Sequence, residues 1–245
     1  MRIAIISDIH GNLEALEAVL AAAGAVEAVW CLGDLVGYGP DPAACVDLAR
    51  ECNFVCVAGN HDLATAGLMD SADFNAEADE AIQWTAHQLN AGDRAYLGQL
   101  PQEHQWGDFT LAHGSPRDHI WEYLAHLSVA RLNFVYFATR YCLVGHTHVP
   151  LIFQAPLPED RPQTYTTLVP RPDEPIHLDL HRMIINPGGV GQPRDGHPEA
   201  AYMILDTRAS TIVLHRVPYP VEVVQRKMLR AGLPDRLARR LSYGW

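Results

Sequence analysis

The sequence predicts an α/β fold in which helices cover a largely parallel sheet. Two observations support this fold class. The first 60 residues alternate short apolar runs with segments of helical periodicity, and a polar loop follows each early apolar run. With 245 residues, 48% of them hydrophobic, the chain is long enough to bury the core of a full-sized domain. We therefore expect a single domain over residues 1–245.

The N-terminal quarter is predicted as β-α-β-α-β. Arg2 to Ser7 is a β-branched run, and apolar residues recur at helical spacing from Asn12 to Gly24. Ala28 to Leu32 is a second buried strand, and the Asp41-Pro42 pair opens a helix with a cap residue followed by proline. A third strand is expected from Phe54 to Ala58.

The middle of the chain changes to helical periodicity from Asp73 to Leu100. This pattern predicts a helical cap insertion at about 65–105, standing over the edge of the sheet. Strands return at Phe109 to Ala112 and at Cys142 to Gly145, with a helix from Val129 to Thr139 between them.

The second half is predicted to contain antiparallel strands and a helical tail. Six prolines between Pro156 and Pro175 indicate an exposed hairpin extension at about 155–176. The tail from Val221 to Leu241 predicts one or two amphipathic helices, interrupted at Gly232 to Pro234. The expected strands span Leu151–Phe153, Thr164–Leu168, Ile176–Leu180, Met183–Ile185, Tyr202–Leu205 and Ile212–Val217.

The composition excludes several classes of protein. Lys and Arg total 18 against 29 Asp and Glu, so the net charge of −11 argues against a general binder of nucleic acid or of acidic membranes. The five cysteines form no Cys-x-x-Cys pair, and neither a signal peptide nor a membrane span is recognisable. These features favour reduced thiols in a cytoplasmic protein that binds no membrane.

Five short polar segments stand apart because each directly follows a predicted strand. In an open α/β sheet, residues just beyond the carboxyl ends of the strands converge in one crevice, so these side chains are expected to meet. The segments are Asp8-Ile9-His10-Gly11-Asn12, Gly33-Asp34, Gly59-Asn60-His61-Asp62, His113-Gly114 and Gly145-His146-Thr147-His148.

The side chains of these segments suit metal ions. They offer two Asp, one Asn and four His as nitrogen and oxygen donors, and no thiolate. This set suits a pair of transition metals such as Mn, Fe, Zn, Ni or Co better than a calcium cage or an iron–sulfur cluster. The alternative is a set of ordinary turn and cap residues, since Asp, Asn, His and Gly all favour loops.

In this order, the five segments resemble the motifs of the calcineurin-like metallophosphoesterase superfamily. The Asn186-Pro187-Gly188 loop extends the resemblance to the small prokaryotic phosphodiesterases and phosphatases of that superfamily. The resemblance implies a four-layer α/β/β/α sandwich that binds two divalent transition metals, with manganese preferred.

The resemblance also implies a role for each site residue. Asp34 is expected to bridge the two metals, which share the attacking hydroxide. His61 is expected to contact the phosphate and to protonate the leaving oxygen as a general acid. Of the other ligands, Asp8, His10 and His148 are expected on one metal, and His113, His146 and Asn60, which also faces the substrate, on the other.

One position departs from the pattern of the superfamily. Protein-phosphatase relatives read Gly-Asp-x-x-Asp in the second segment, where the later Asp orients the catalytic His. Here Gly37 occupies that position, so His61 lacks its usual partner. The departure argues against efficient protein-phosphatase chemistry on monoesters.

Three further residues are candidate substrate contacts. Arg117 and Arg194 could each bind a phosphate through a bidentate fork, with a surface ion pair as the alternative for each. Tyr38 could stack on a base or ring, or pack in the interior. The remaining histidines, eight of the 13 in the chain, are assigned no role.

These observations predict a phosphatase or phosphodiesterase acting on small phosphorylated molecules, with nucleotides as one substrate class. The Gly37-Tyr38-Gly39-Pro40 segment and the helical insertion resemble bacterial members with nucleotide substrates, which adds an asymmetric diadenosine tetraphosphate hydrolase as a narrower hypothesis. A non-catalytic scaffold of the same fold is the alternative of another class. The acidic charge disfavours a nuclease acting on long nucleic acid, and the sequence leaves the oligomeric state open.

Overall fold

Two sheets stacked face to face form the centre of the protein. The computed structural model describes residues 1–157, 160, 162, 164–178 and 181–245. Within those residues each sheet has six strands. Sheet one contains, in spatial order, β3 (Val55–Cys56), β2 (Ala28–Cys31), β1 (Arg2–Ile6), β11 (Ala200–Asp206), β12 (Thr211–Val217) and β9 (Pro175–His177). Sheet two contains β4 (Glu103–Trp106), β5 (Phe109–Ala112), β6 (Tyr141–Leu143), β10 (Met183–Asn186), β7 (Leu151–Gln154) and β8 (Thr166–Leu168).

Both sheets combine a parallel part with an antiparallel part. In sheet one, β1, β2 and β3 run parallel, while β11 pairs antiparallel with β1 so that Ile5 lies opposite Met203. In sheet two, β5, β6 and β10 run parallel, and β7 pairs antiparallel with β10. The prediction of antiparallel strands in the second half is therefore confirmed for β10 in its pairing with β7, but β10 also pairs in parallel with β6. Its apolar run of residues 183–185 is buried on both faces, and such a run does not encode strand direction.

The strand β1 illustrates how the sequence divides the layers. Ile3 and Ile5 pack into the cluster between the two sheets, whereas Ala4 and Ile6 pack into the cluster under the helices of sheet one. Successive side chains of a strand point to opposite faces, so one β-branched run supplies both interfaces. Both faces of sheet one are consequently covered.

Helices cover the outer faces of both sheets. On sheet one, the helices that contribute to the cluster are α1 (Leu13–Ala23), α2 (Pro42–Glu51), α4 (Ala76–Gln88), α5 (Ala91–Gly98), α7 (Val221–Arg230) and α8 (Asp235–Arg240). On sheet two, α6 (Leu127–Asn133) packs through Ala130 against Cys142, Phe153 and Ile184. The short helix α3 (Asn60–Thr65) follows β3 directly. The expected four-layer α/β/β/α sandwich is confirmed.

Several predicted helices differ in their bounds. The periodic segment from Asp73 to Leu100 forms two helices, because the side chain of Asn90 accepts the N–H of Asp93 and so begins α5. The helix expected to reach Thr139 ends at Asn133. Beyond it, Arg182 binds the carbonyl oxygens of Phe134 and Phe137 at 2.9 and 2.5 Å, so these groups do not continue the helix.

One α-helix and one strand were not predicted, and parts of two predictions lie outside the described residues. The helix α3 was missed because its residues were interpreted as a loop, and β4 was missed because only its partner β5 has a clear apolar run. In the proline-rich region, β7 and β8 form a hairpin and β9 joins sheet one. Residues 158, 159, 161 and 163 of the predicted extension, and 179 and 180 of a predicted strand, are not among the described residues.

The cysteines agree with the prediction of reduced thiols. All five, which lie within the described part of the chain, are free, and only Cys52 is exposed. Among the described residues, no helix combines the length and the apolar character needed to cross a membrane.

The cluster between the sheets generates a stability prediction. Ile5 is fully buried there, so we expect Ile5→Ala to lower the free energy of unfolding by about 2–5 kcal/mol, measured by denaturant titration. Val135 is 81% exposed, so Val135→Ala serves as the control and is expected to change the same quantity by less than about 0.5 kcal/mol. Equal effects of the two substitutions would contradict the assignment of Ile5 to the core.

Candidate metal centre

The seven predicted ligands come together at the carboxyl ends of five strands. Asp8 follows β1, Asp34 follows β2, and Asn60 begins α3 after β3. His113 follows β5, and the loop after β6 supplies the last two histidines. The seven side chains are buried, each with 3% or less of its surface exposed: Asp8, His10, Asp34, Asn60, His113, His146 and His148.

The backbone around these side chains is unusually constrained. Most of the predicted ligands have a left-handed backbone, which non-glycine residues rarely adopt. The strain of such residues persists only where the surrounding structure determines it, and it is common at functional sites. The φ angles are 55° at Asp8, 49° at His10, 53° at Asp34, 63° at His146 and 58° at His148.

The first ligand group contains Asp8, His10 and His148. The two Nε2 atoms lie 3.2 Å apart, and Nε2 of His148 lies 3.2 Å from Oδ1 of Asp8. Each imidazole places its Nδ1 beside a backbone carbonyl, that of Val36 at 3.2 Å for His10 and that of Gln192 at 2.6 Å for His148. Because Nδ1–H donates to the carbonyl, both Nε2 atoms present lone pairs to one another.

These unprotonated nitrogens fit a cation between them. Burial lowers the pKa of both His10 and His148 well below the ordinary value, so both rings are neutral. Neither carboxylate oxygen of Asp8 has a hydrogen-bond partner among the described residues, and burial raises the pKa of Asp8 to about 7. Facing lone pairs and an unpartnered buried carboxylate are the arrangement that a bound metal ion would satisfy.

The second ligand group contains Asp34, His113 and His146, with Asn60 beside them. The Nε2 atom of His113 lies 3.0 Å from Oδ1 of Asn60, 3.1 Å from Nδ1 of His146 and 3.3 Å from Oδ2 of Asp34. Its Nδ1 donates to the carbonyl of Leu32 at 2.8 Å. Burial by itself would lower the pKa of His113, but the neighbouring Asp34 carboxylate raises it to about 9.

Asp34 lies between the two groups. Its Oδ2 atom is 3.6 Å from Nε2 of His10 and 3.3 Å from Nε2 of His113, and its Oδ1 accepts the backbone N–H of His61 at 2.9 Å. Burial would raise the pKa of Asp34, yet His113 and His61 hold it well below the ordinary value. The carboxylate is therefore ionised between the two ligand groups.

Gly37 lies directly against His61. The φ angle of Gly37 is +93°, and a Cβ atom built on it would lie 2.5 Å from Nδ1 of His61. This Nδ1 atom has no hydrogen-bond partner among the described residues. The sequence indicated that His61 has no orienting Asp at position 37. The structure shows that this position lies too close to the His61 ring for any side chain.

Aromatic rings hold His61 instead. The ring centroid of Tyr38 lies 4.4 Å from that of His61, and the centroid of Phe74 lies 5.0 Å away. Burial lowers the pKa of His61 to about 4. The predicted general acid is thus fixed by ring packing rather than by a carboxylate.

A cavity of about 220 Å³ opens over the centre. Its lining includes His61, Asn60 and, among the predicted substrate contacts, Tyr38 and Arg194. Arg117 is not part of this lining: its guanidinium forms an ion pair with Glu122, the alternative that the sequence had left open.

Several residues of the site were missed by sequence reasoning. Phe74, Trp121 and Tyr123 line the cavity, and Tyr123 stacks on His146 with ring centroids 4.0 Å apart. They carried no signal, because isolated aromatic residues are usually packing residues.

Asp62 could have been found from the sequence, since it ends the Gly59-Asn60-His61-Asp62 segment. Its Oδ1 accepts the N–H of Val36 at 3.2 Å, and its Oδ2 accepts the N–H of Gly59 at 3.0 Å. The carboxylate therefore joins the loops that carry Asp34 and Asn60.

Comparison with known proteins agrees with this architecture. A family model described as the calcineurin-like phosphoesterase superfamily domain matches residues 1–210. An uncharacterized protein of Methanocaldococcus jannaschii is 36% identical over 250 residues, which cover 99% of this chain and 98% of that protein.

Two solved structures are similar over the whole chain. A metallophosphoesterase from Sphaerobacter thermophilus is 46% identical, covers 100% of both chains and has a TM-score of 0.89. A hypothetical protein from Pyrococcus horikoshii OT3 has the same fold, with a TM-score of 0.79, 18% identity, and coverage of 100% of this chain and 98% of that one. Since the family model spans most of the chain, this protein belongs to the calcineurin-like phosphoesterase superfamily.

Proposed function

We propose that the protein is a two-metal phosphoesterase that hydrolyses phosphomonoesters or phosphodiesters of small molecules. The observation that carries this proposal is the position of Asp34, one carboxylate oxygen of which lies within 3.6 Å of a histidine nitrogen in each ligand group. A single buried carboxylate that reaches both groups is suited to bridge two cations. Members of this superfamily generally bind two divalent metals, and the donor set here supports transition metals. The resemblance to the superfamily adds manganese as the preferred ion.

The two ligand groups have distinct roles in the proposal. Asp8, His10 and His148 would hold one metal, and Asn60, His113 and His146 the other. When bound, the two metals supply an activated water and neutralise the charge of the phosphoryl oxygens. The backbone carbonyls that accept the Nδ1–H groups keep three of the histidine rings in position for this task.

His61 is proposed to donate the proton to the leaving oxygen. Its ring lines the cavity and is neutral near pH 7, because its pKa is about 4. An anionic phosphoryl group beside the ring favours the protonated imidazole, which is the form a general acid needs. Arg194 and Tyr38, which line the same cavity, are proposed to contact the substrate.

The size of the cavity and the charge of the chain support a small substrate. A space of about 220 Å³ over the centre admits a phosphoryl group with a short organic part. The net charge of −11 argues against binding of long nucleic acid.

All seven ligand positions and His61 are intact, which favours an enzyme over a non-catalytic scaffold. The asymmetric diadenosine tetraphosphate hydrolase stays a prediction.

The first test of the function concerns Asp34. With added manganese, we expect the protein to hydrolyse bis-p-nitrophenyl phosphate, and Asp34→Asn to lower kcat/KM by about 10²-fold or more because the shared ligand loses its charge. The metal content per chain, measured by plasma mass spectrometry, is expected to fall as well. Asp47 is exposed on α2, so Asp47→Asn is the matched control. An inactive wild-type protein, or an unchanged Asp34→Asn variant, would rule out the mechanism.

The second test separates proton donation from metal binding. His61→Ala is expected to lower kcat by about 10²–10⁴-fold because the leaving oxygen loses its proton donor, while the metal content stays as in the wild type. His87 is exposed on α4, and His87→Ala should leave both quantities unchanged. If kcat survives the loss of His61, the residue has no catalytic role.

The third test uses the contact between Gly37 and His61. A methyl group at position 37 would displace the imidazole, so Gly37→Ala is expected to lower kcat by about 10²-fold with little change in metal content. Gly67 also has a left-handed backbone, with a φ of +78°, but a Cβ atom added there would meet no other atom within 4 Å, so Gly67→Ala controls for backbone strain alone. Equal losses in both variants would show that the ring contact is irrelevant.

A further inference from the structure

The cavity over the metal centre adjoins a larger one. This outer cavity has a volume of about 520 Å³, and four residues line both spaces: Tyr38, Asn75, Tyr123 and Arg194. The combined space is larger than a single phosphoryl group needs. A substrate placed with one end at the metal centre would therefore extend past the two tyrosines into the outer cavity.

The outer cavity carries an excess of positive charge. Among the described residues that line it are three arginines, Arg194, Arg236 and Arg240, and one carboxylate, Glu77. Glu77 lies 3.9 Å from the guanidinium of Arg236, so one of the three cations has an acidic partner in the lining. Such an excess is notable in a chain with a net charge of −11.

Arg194 has an N–H donor that no described residue accepts. The Nη2 atom of Arg194 donates to Oε1 of Gln192 at 2.9 Å, but its buried Nε has no hydrogen-bond partner among the described residues. Arg240 donates through Nε to the backbone oxygen of Trp245. Burial, followed by the neighbouring Arg194 guanidinium, lowers the pKa of Arg240 to about 10, as expected where guanidinium groups lie close together.

The sequence context of these arginines differs from that of the metal centre. Arg236 and Arg240 lie one helical turn apart on α8, at residues beyond the 1–210 segment that matches the superfamily. Arg239 on the same helix is exposed and pairs with Asp235 instead. The C-terminal helix thus adds charged groups to a site whose ligands all come from the earlier part of the chain.

We propose that the outer cavity is a second anion subsite, in which Arg194, Arg236 and Arg240 bind a further phosphate-like group of the substrate. The proposal rests on the proposed phosphoesterase function, because the scissile phosphoryl group must lie at the metal centre. The substrate class is then a small molecule with two separated phosphoryl groups, the organic part of which passes between Tyr38 and Tyr123. Guanidinium groups suit such a ligand because they bind phosphate oxygens through paired N–H donors.

Two series of chromogenic diesters test the proposal with the manganese-loaded full chain. The first series is p-nitrophenyl ω-hydroxyalkyl phosphates with alkyl chains of increasing length, and the second carries a terminal phosphonate, which cannot be hydrolysed, in place of the hydroxyl group. Release of p-nitrophenolate is measured for both. At one favoured chain length, we expect the KM of the phosphonate diester to be about tenfold or more below the KM of the hydroxyl diester of the same length.

The variants identify the groups responsible. In the double variant Arg236→Gln/Arg240→Gln, the ratio of the hydroxyl diester's KM to the phosphonate diester's KM is expected to fall to about one. In Arg236→Gln alone, the same ratio is expected to take an intermediate value. Arg239→Gln, the matched control on the same helix, should keep the wild-type ratio. Because Arg236 is exposed, the single variant is a test that does not depend on the packing of Arg240.

The outcomes separate this proposal from the proposed function. If neither series nor bis-p-nitrophenyl phosphate is hydrolysed, the phosphoesterase function fails. If the hydroxyl series is hydrolysed but the phosphonate gives no advantage at any length, or the advantage survives in the double variant, the second subsite is excluded and the phosphoesterase function remains.

Discussion

The buried carboxylate of Asp34 is the contact on which the arrangement of the site depends. It lies at the end of β2, where its Oδ2 faces histidines from two different sheets and its Oδ1 fixes the backbone of His61. An ionised carboxylate in the interior is stable only when it is surrounded by donors or cations. His113, whose pKa the carboxylate raises, and the backbone N–H of His61 provide these contacts, and they follow strands of different sheets.

The ligand loops, which carry strained backbone and buried polar side chains, lie next to the apolar cluster between the sheets. The loops that carry the ligands adopt left-handed backbone angles, and their side chains are almost fully buried. Neither feature is favourable by itself. Both are tolerated because the strands just before these loops pack in the apolar cluster between the sheets. This packing fixes the strand ends from which the loops begin. The rigid layer of strands thus allows a polar site that a flexible loop could not maintain.

The charge distribution explains how an acidic protein could receive an anionic substrate. The average charge of the chain is negative, but the field inside a crevice is set by the groups that line it. In the proposals made above, two divalent cations would act on the scissile group, while Arg194 and the two arginines of α8 would act on the far end of the substrate. The metal centre would then provide the chemistry, and the C-terminal helix would help to select the length and charge of the substrate.

The sequence by itself determined the α/β class and the seven residues that meet at the strand ends. Both follow from local information, namely the period of the apolar residues and the position of polar segments directly after strands. The four layers were expected from the resemblance to the superfamily. Only the tertiary structure decided that Arg194 faces the cavity while Arg117 pairs with Glu122, and that Arg240 joins the site from the end of the chain. The positions of Arg194 and Arg240 depend on elements far apart in sequence coming together, as does the contact of Gly37 with His61, and no local pattern encodes them.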